Sequence, residues 1–295
     1  MDSGRLVIGF GRTDLTECRA RWPELVEILE TRVKPDREAR PRNEQQAYLA
    51  AHWWQWHTDR PTLQRAVFGL QRVLVCSAVT ARLGFVFLPT STVCAHTLNV
   101  FALEEWAHFA VLQSQVHEEW ARFFSSSLED RLRYTPTDCF DTFPFPEEWE
   151  SRPDLETVGK AYYELRADLM IRNNEGLTKT YNRFHDPDED SPNIVRLREL
   201  HAAMDRAVFS AYGWTDIPTD CEFLLDYEVD EEESSRKKKP WRYRWPDDVR
   251  DEVLARLLEL NAQRAAHEAQ AGASAAKTRK AKGQNAASPE TERLF

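Results

Sequence analysis

The chain has 295 residues, 42% hydrophobic and 11% aromatic, with ten tryptophans, a composition suited to one large or two modest globular domains. Its formal net charge of −10 argues against a protein that simply coats nucleic acid, and no apolar run is long enough for a membrane span. Five scattered cysteines (Cys18, Cys76, Cys94, Cys139, Cys221) make neither a disulfide framework nor a CxxC metal pattern, and the N-terminus lacks a signal-peptide core. A cytoplasmic protein is expected, with no membrane partner. The charge is uneven. Residues 1–90 carry 13 Lys+Arg against 10 Asp+Glu, which leaves −13 on residues 91–295. An anionic partner is therefore expected at the N-terminal third, the alternative being ordinary variation of a surface.

In chain order, residues 13–33 space Leu15, Cys18, Trp22, Leu25, Val26 and Leu29 at helical intervals, with Thr13 as N-cap and Pro23 kinking or splitting the helix. Lys34 to Asn43 is charged, contains proline and reads as a loop. "RVLVCS" (72–77), "LGFVFLP" (83–89) and "HTLNVFA" (96–102) read as strands of a mixed or antiparallel sheet. Residues 104–124 return to a helical period that places Trp106, Phe109, Ala110, Gln113, Val116, His117 and Trp120 on one side.

"RYTPTDCFDTFPFP" (133–146) follows. Pro136, Pro144 and Pro146 exclude a helix interior or a central strand, so this stretch reads as a rigid connector whose Phe140, Phe143 and Phe145 plug a seam between domains. Beyond it, Leu155, Val158, Tyr162, Leu165 and Leu169 mark one amphipathic helix. Ile194, Leu197, His201, Met204 and Val208 mark another, with Ser191 as N-cap, Pro192 in the first position and Gly213 as the stop. Residues 226–240 alternate an acidic with a basic run and read as a linker. A helix from Asp247 then leads into an Ala/Lys/Gln/Ser tail expected to be disordered.

No catalytic constellation is visible. GxGxxG, GxxxxGK[ST], GxSxG and HExxH are all absent. Asp186, Asp188 and Asp190 alternate as in a calcium loop, but Ser191 stands where the turn needs glycine and Leu197 where a bidentate Glu closes the cage. A turn leading into a helix N-cap is the better reading, and no metal is expected. His96, His108 and His201 lie on otherwise apolar faces and are expected to be hydrogen-bonded packing residues. Trp53, Trp54 and Trp56 suit either base stacking or packing of the sheet against the first helix, with packing favoured.

Several segments in order, "WPELVEILETRVKPDRE", "WWQWHTDRPTL", "GLQRVLVCSAVTARLGFVFLP", "HFAVLQSQVHEEWARFF" and "RYTPTDCFDTFPFP", resemble the region after the catalytic core of MmeI-like (type IIG/IIL) restriction–modification proteins, which are adenine-specific DNA methyltransferases. "GLTKTYNRFHDP", "LRELHAAMDRAVFSAYGW" and "PWRYRWPDDVRDEVLARLLELN" resemble their helical C-terminus. The resemblance implies an α+β arrangement: an N-terminal helical segment (1–44), a mixed-sheet target recognition domain (45–132), the connector (133–146), a C-terminal helical domain (147–225), the charged linker (226–240), a C-terminal helix (241–262) and the tail (263–295). It implies binding and reading of double-stranded DNA. The chain lacks the family's glycine-rich S-adenosylmethionine motif and its Asn-Pro-Pro-Tyr/Phe motif, so no cofactor is expected in this chain and methyl transfer is expected only with a methyltransferase chain or domain that holds S-adenosylmethionine.

In the resembling family the stretch "RVLVCSAVTARL" lies in the target recognition domain. Arg82 is the candidate for bidentate pairing with guanine, Ser77 and Thr80 for base edges or phosphate, and Arg72 for either role; the alternative for Arg82 is a solvated strand end. Lys34, Arg37, Arg60 and Arg65 are the phosphate candidates, chosen because few acids flank them. The runner-up function is a non-enzymatic protein-interaction scaffold, or a truncated remnant, without DNA binding.

Overall fold

The computed structural model describes residues 6–40, 43–56, 60–125, 127–128, 131–225 and 241–284; residues 127–128 and 271–284 are described by backbone alone. The chain divides into two compact units, residues 1–71 with 90–93 and residues 72–89 with 94–295.

The N-terminal unit is helical: α1 (Leu15–Arg21), α2 (Pro23–Arg32), α3 (Lys34–Ala39), α4 (Glu44–Ala51) and α5 (Pro61–Ala66). Asp14, not Thr13, caps α1, its carboxylate accepting from the Glu17 N–H at 3.0 Å. A carboxylate at this position also complements the positive end of the helix dipole, which favours it over a hydroxyl. Pro23 splits the helical stretch as expected and opens α2. The presumed loop at 34–43 is helical over Lys34–Ala39, because Pro35 falls in the first turn, where its missing N–H has no helical partner to lose. Phe10, Cys18, Val26 and Trp53 form this unit's core, with Ile8, Leu15, Trp22, Leu29 and Trp54 packed around it.

The second unit carries the sheets. β1 (Arg72–Ser77), β3 (Phe85–Pro89) and β4 (Leu98–Phe101) form an antiparallel sheet in the order β3-β1-β4, with Leu74 opposite both Phe87 and Phe101. β1 is central and buried along four consecutive residues, as its unbroken apolar run requires. A smaller sheet joins β2 (Val79–Thr80), β6 (Arg131–Arg133) and β5 (Ser127–Leu128) in the order β2-β6-β5. The helix expected over 104–124 is two helices, α6 (Trp106–Gln113) and α7 (Gln115–Phe124). Ser114 between them is extended at φ −65° and ψ 158° and caps α7. Nearly every residue of α6 is buried, so its period alone did not mark the break.

In the connector, Pro136 opens a short helix, α8 (Pro136–Cys139), while Phe143 is buried and Phe140 and Phe145 pack against the same core. Both flanks of the connector belong to one unit with one core. α9 (Pro153–Asn173), α10 (Leu177–Phe184) and α11 (Pro192–Tyr212) complete the helical part, and Gly213 ends α11 at φ 74°. A two-stranded ribbon, β7 (Glu222–Leu225) with β8 (Trp241–Arg244), takes residues read above as part of helical segments. The charged run 226–240 lies outside the described residues. The final helix, α12, runs Asp247–Gln284, well past residue 262, since Ala, Lys, Arg and Gln favour helix and no proline intervenes.

Gly159 on α9 allows the close approach of α6. A β-carbon there would meet the Trp106 carbonyl oxygen and come within 3.1 Å of the Ala110 Cβ. Gly159→Ala is therefore expected to destabilise this unit by about 1–3 kcal/mol through overpacking against backbone that cannot yield. Chemical denaturation of the two proteins checks it, and equal midpoints would contradict the packing.

His117 on α7 is fully buried, with Nε2 2.8 Å from the Tyr134 hydroxyl. Burial pushes its pKa down to about 3. An unfolded histidine titrates near ~6.5, so between these values the unfolded chain binds more protons and stability falls as the pH drops. The loss attributable to His117 should reach about 2 kcal/mol at pH ~5. His117→Phe cannot take up this proton. Its stability difference between pH ~7 and ~5 should be smaller than the wild type's, and parallel pH profiles would contradict the assignment.

Candidate nucleic-acid interface

An anion-binding surface needs cations that carboxylates and carbonyls have not already claimed. Lys34 lies 3.5 Å from a Glu30 carboxylate oxygen and 5.3 Å from the centre of the Trp53 ring. The Arg37 guanidinium donates to the carbonyls of His52 (3.3 Å), Trp53 (3.1 Å) and Gln55 (2.6 Å). It staples the tryptophan-rich turn to α3, which is a folding role. The tryptophans pack accordingly: Trp53 is in the core, Trp54 Nε1 donates to the Thr13 carbonyl at 2.9 Å, and Trp56 lies against Gly9.

Arg60 and Arg65 differ. Both are exposed. Arg60 sits in the left-handed region at φ 48° immediately before α5, and among the described residues its guanidinium has no partner. Arg65 makes one long bond, Nε to the Pro61 carbonyl at 3.4 Å, and no ion pair among the described residues.

In the second unit, Arg72 is held internally. Its Nε donates to the Glu104 carbonyl at 2.8 Å, and its guanidinium lies 3.9 Å from the centres of both the Phe87 and Trp106 rings. Thr80 spends its hydroxyl on a local turn, donating to the Arg82 carbonyl at 2.6 Å and accepting from the Arg82 N–H at 3.2 Å. Arg82 is half-buried, and its guanidinium donates to the Trp241 carbonyl at 3.4 Å rather than standing as a solvated strand end. Ser77 is exposed at the end of β1. Of the histidines, His201 is buried with Nδ1 3.4 Å from Asp205, His108 accepts from the Glu105 N–H at 3.1 Å, and His96 is exposed in the turn before β4.

Two further exposed cations emerge from the fold. Arg131 and Arg133 alternate with buried Leu132 on β6, so they share the solvent face of the smaller sheet. Val79, 49% exposed, pairs with Arg133 on the neighbouring strand. Among the described residues neither arginine has an ion-pair partner. By contrast, a cavity of about 370 Å³ lined by Arg122, Arg242, Arg244 and Arg250 is charge-balanced from within. Arg122 and Arg242 bond Glu118, and Arg244 and Arg250 bond Asp247.

One sequence signal brackets Arg60 and Arg65, the two exposed arginines at α5. From Arg60 to Leu103 there is no Asp, Glu or Lys, only four arginines, in a chain with 49 acidic residues. Such a stretch carries positive charge with none of the opposite sign in its own sequence, the pattern that favours a polyanion.

Residues 12–147 match the family described as "MmeI, target recognition domain". The chain carries an MmeI-like target recognition domain. That domain contains the acid-free stretch, all four strands from Arg72 to Phe101 and the exposed pair on β6. A solved structure described as "Structure of Type IIL restriction-modification enzyme MmeI in complex with DNA has implications for engineering of new specificities" shares the fold, with a TM-score of 0.54 and 17% identity. The superposition covers 86% of this chain and 28% of that one, so the chain spans about a quarter of the length of the MmeI protein it matches. The fold is α+β, with small antiparallel sheets among helices. No curated protein matches the chain. Among the described residues no helix is long and apolar enough to cross a membrane, and no group of three or more His, Cys, Asp or Glu residues is placed to hold a metal ion.

Proposed function

We propose that this chain recognises a sequence in double-stranded DNA as the target-reading part of a restriction–modification enzyme. The observation that carries the reading is the coincidence of the MmeI-like target recognition domain with the acid-free, arginine-bearing stretch 60–103. Arg60 and Arg65 are the phosphate contacts of the N-terminal unit, since both are exposed and neither has an ion-pair partner among the described residues. In the second unit, Ser77, Arg131 and Arg133 are the exposed groups suited to phosphate or base edges, and Arg131 and Arg133 project from a strand, an element that a major groove admits. Arg82 reads a base only if it leaves the Trp241 carbonyl. Arg72 and Arg37 act by holding the fold around these groups.

Methyl transfer to adenine belongs, in this reading, to a catalytic chain or domain that supplies S-adenosylmethionine, and the assembly works in the cytoplasm. Fluorescence anisotropy with mixed duplexes over a salt series tests the DNA reading. Affinity should fall steeply with salt, because each phosphate contact releases condensed counterions. Absence of binding at low salt would instead favour a protein-interaction scaffold, a role compatible with the net charge of −10. Tritium transfer from labelled S-adenosylmethionine to DNA should require the partner; incorporation by the purified chain alone would overturn the division of labour.

A further inference from the structure

We propose that Phe68 is a wedge that enters a base step of bound duplex DNA, with Arg60 and Arg65 on phosphates beside it; the proposal rests on the DNA-recognition reading above. Phe68 is 89% exposed. An aromatic ring has on the order of 150–250 Å² of surface to bury, and leaving it in water forgoes that stabilisation. The ring is displayed by a turn that the backbone defines closely. Val67 N–H donates to the Leu63 carbonyl at 2.9 Å, Phe68 N–H to Arg65 at 3.4 Å and Leu70 N–H to Val67 at 3.1 Å. Gly69 follows at φ +91°, a conformation that a side-chain-bearing residue rarely adopts. On the far side, Thr90 N–H donates to the Gln71 carbonyl at 3.3 Å and Thr90 Oγ1 to the Leu70 carbonyl at 3.2 Å. The turn is therefore anchored at both ends.

The charge around the turn selects the occupant. Arginines lie three and eight residues before Phe68; Asp59, outside the described residues, adjoins Arg60, and from Arg60 to Leu103 the sequence carries no carboxylate. A docking site for another protein is ordinarily rimmed by charges of both signs, whereas an aromatic side chain on a stretch whose only charged residues are arginines suits a polyanion that has flat apolar faces between its units. DNA is that ligand: apolar side chains part a base step, and cationic side chains on the adjoining phosphates compensate the lost stacking.

The test uses the full chain and a duplex selected by it from a randomised pool, with 2-aminopurine scanned across the site. Wild type should raise the fluorescence at one step. Phe68→Ala should return that signal to the level of free duplex and weaken binding about tenfold while keeping the salt slope. Phe68→Leu should restore most of the signal, because an apolar wedge suffices. Arg60→Gln with Arg65→Gln should instead flatten the salt slope. A fluorescence rise that survives Phe68→Ala overturns the wedge while leaving DNA recognition intact. So does loss of binding to a methyltransferase chain with unchanged DNA affinity, which would make Phe68 a protein contact. If wild type binds no duplex at any salt concentration, the recognition reading fails first and the wedge with it.

Discussion

Arg166→Met is expected to destabilise the second unit by about 2–4 kcal/mol, more than any other single side-chain change considered, because several buried polar groups lose their donor at once. Arg166 is 1% exposed and has no carboxylate partner among the described residues. Its guanidinium donates to Gln113 Oε1 (2.9 Å), the Tyr181 hydroxyl (2.8 Å) and the Phe85 carbonyl (2.5 Å). The rings of Phe109, Tyr162, Tyr163 and Tyr181 surround it at 5.1–5.9 Å. One rigid fork thus joins α9 to α6, α10 and β3. Methionine keeps the length and apolar volume but leaves Phe85 O without this donor. Lysine should rescue poorly, since one ammonium cannot reach acceptors arranged for a planar fork. Urea denaturation of the three proteins checks this; a methionine variant as stable as wild type would show that the cation contributes nothing net.

Arg60→Gln combined with Arg65→Gln is expected to reduce affinity for every duplex alike, on the order of tenfold or more at low salt, and to flatten the log–log salt slope by about two. Both side chains are exposed and have no carboxylate partner among the described residues, so stability should be unchanged. That separates them from Arg37, whose three carbonyl acceptors make its loss a folding defect. Anisotropy titrations from low to physiological salt give the slope, and denaturation of the same samples gives the control. Unchanged slopes would remove α5 from the interface and leave β6 as the basic surface to test.

Much of the architecture can be read from local pattern. β1 matches its apolar run residue for residue, Pro23 splits the first helix, and Pro192 and Gly213 bound α11. These depend on backbone preferences that neighbouring residues suffice to express. The break at Ser114 was hidden because α6 is buried on every side, so no polar face marks its end. The β7–β8 ribbon was missed because its two strands are separated by the charged run, and neither is long enough to declare itself alone.

The candidate site divides along the same line. The sequence by itself determined that the run from Arg60 to Leu103 carries no carboxylate, which needs no fold to be counted. Residue type and spacing could not rank the arginines within and around that region, because a guanidinium is equally suited to a phosphate, a backbone carbonyl and an aromatic face. Tertiary structure made the ranking. It committed Arg37 to the 52–55 turn and Arg72 to Phe87, Trp106 and the Glu104 carbonyl, and it placed Arg82 against Trp241. It left Arg60 and Arg65 exposed, and it brought Arg131 and Arg133 onto one strand face beside Val79. The acceptors that decide between these roles lie up to 159 residues away in sequence, as Trp241 does from Arg82, and only the folded chain brings them within hydrogen-bonding distance.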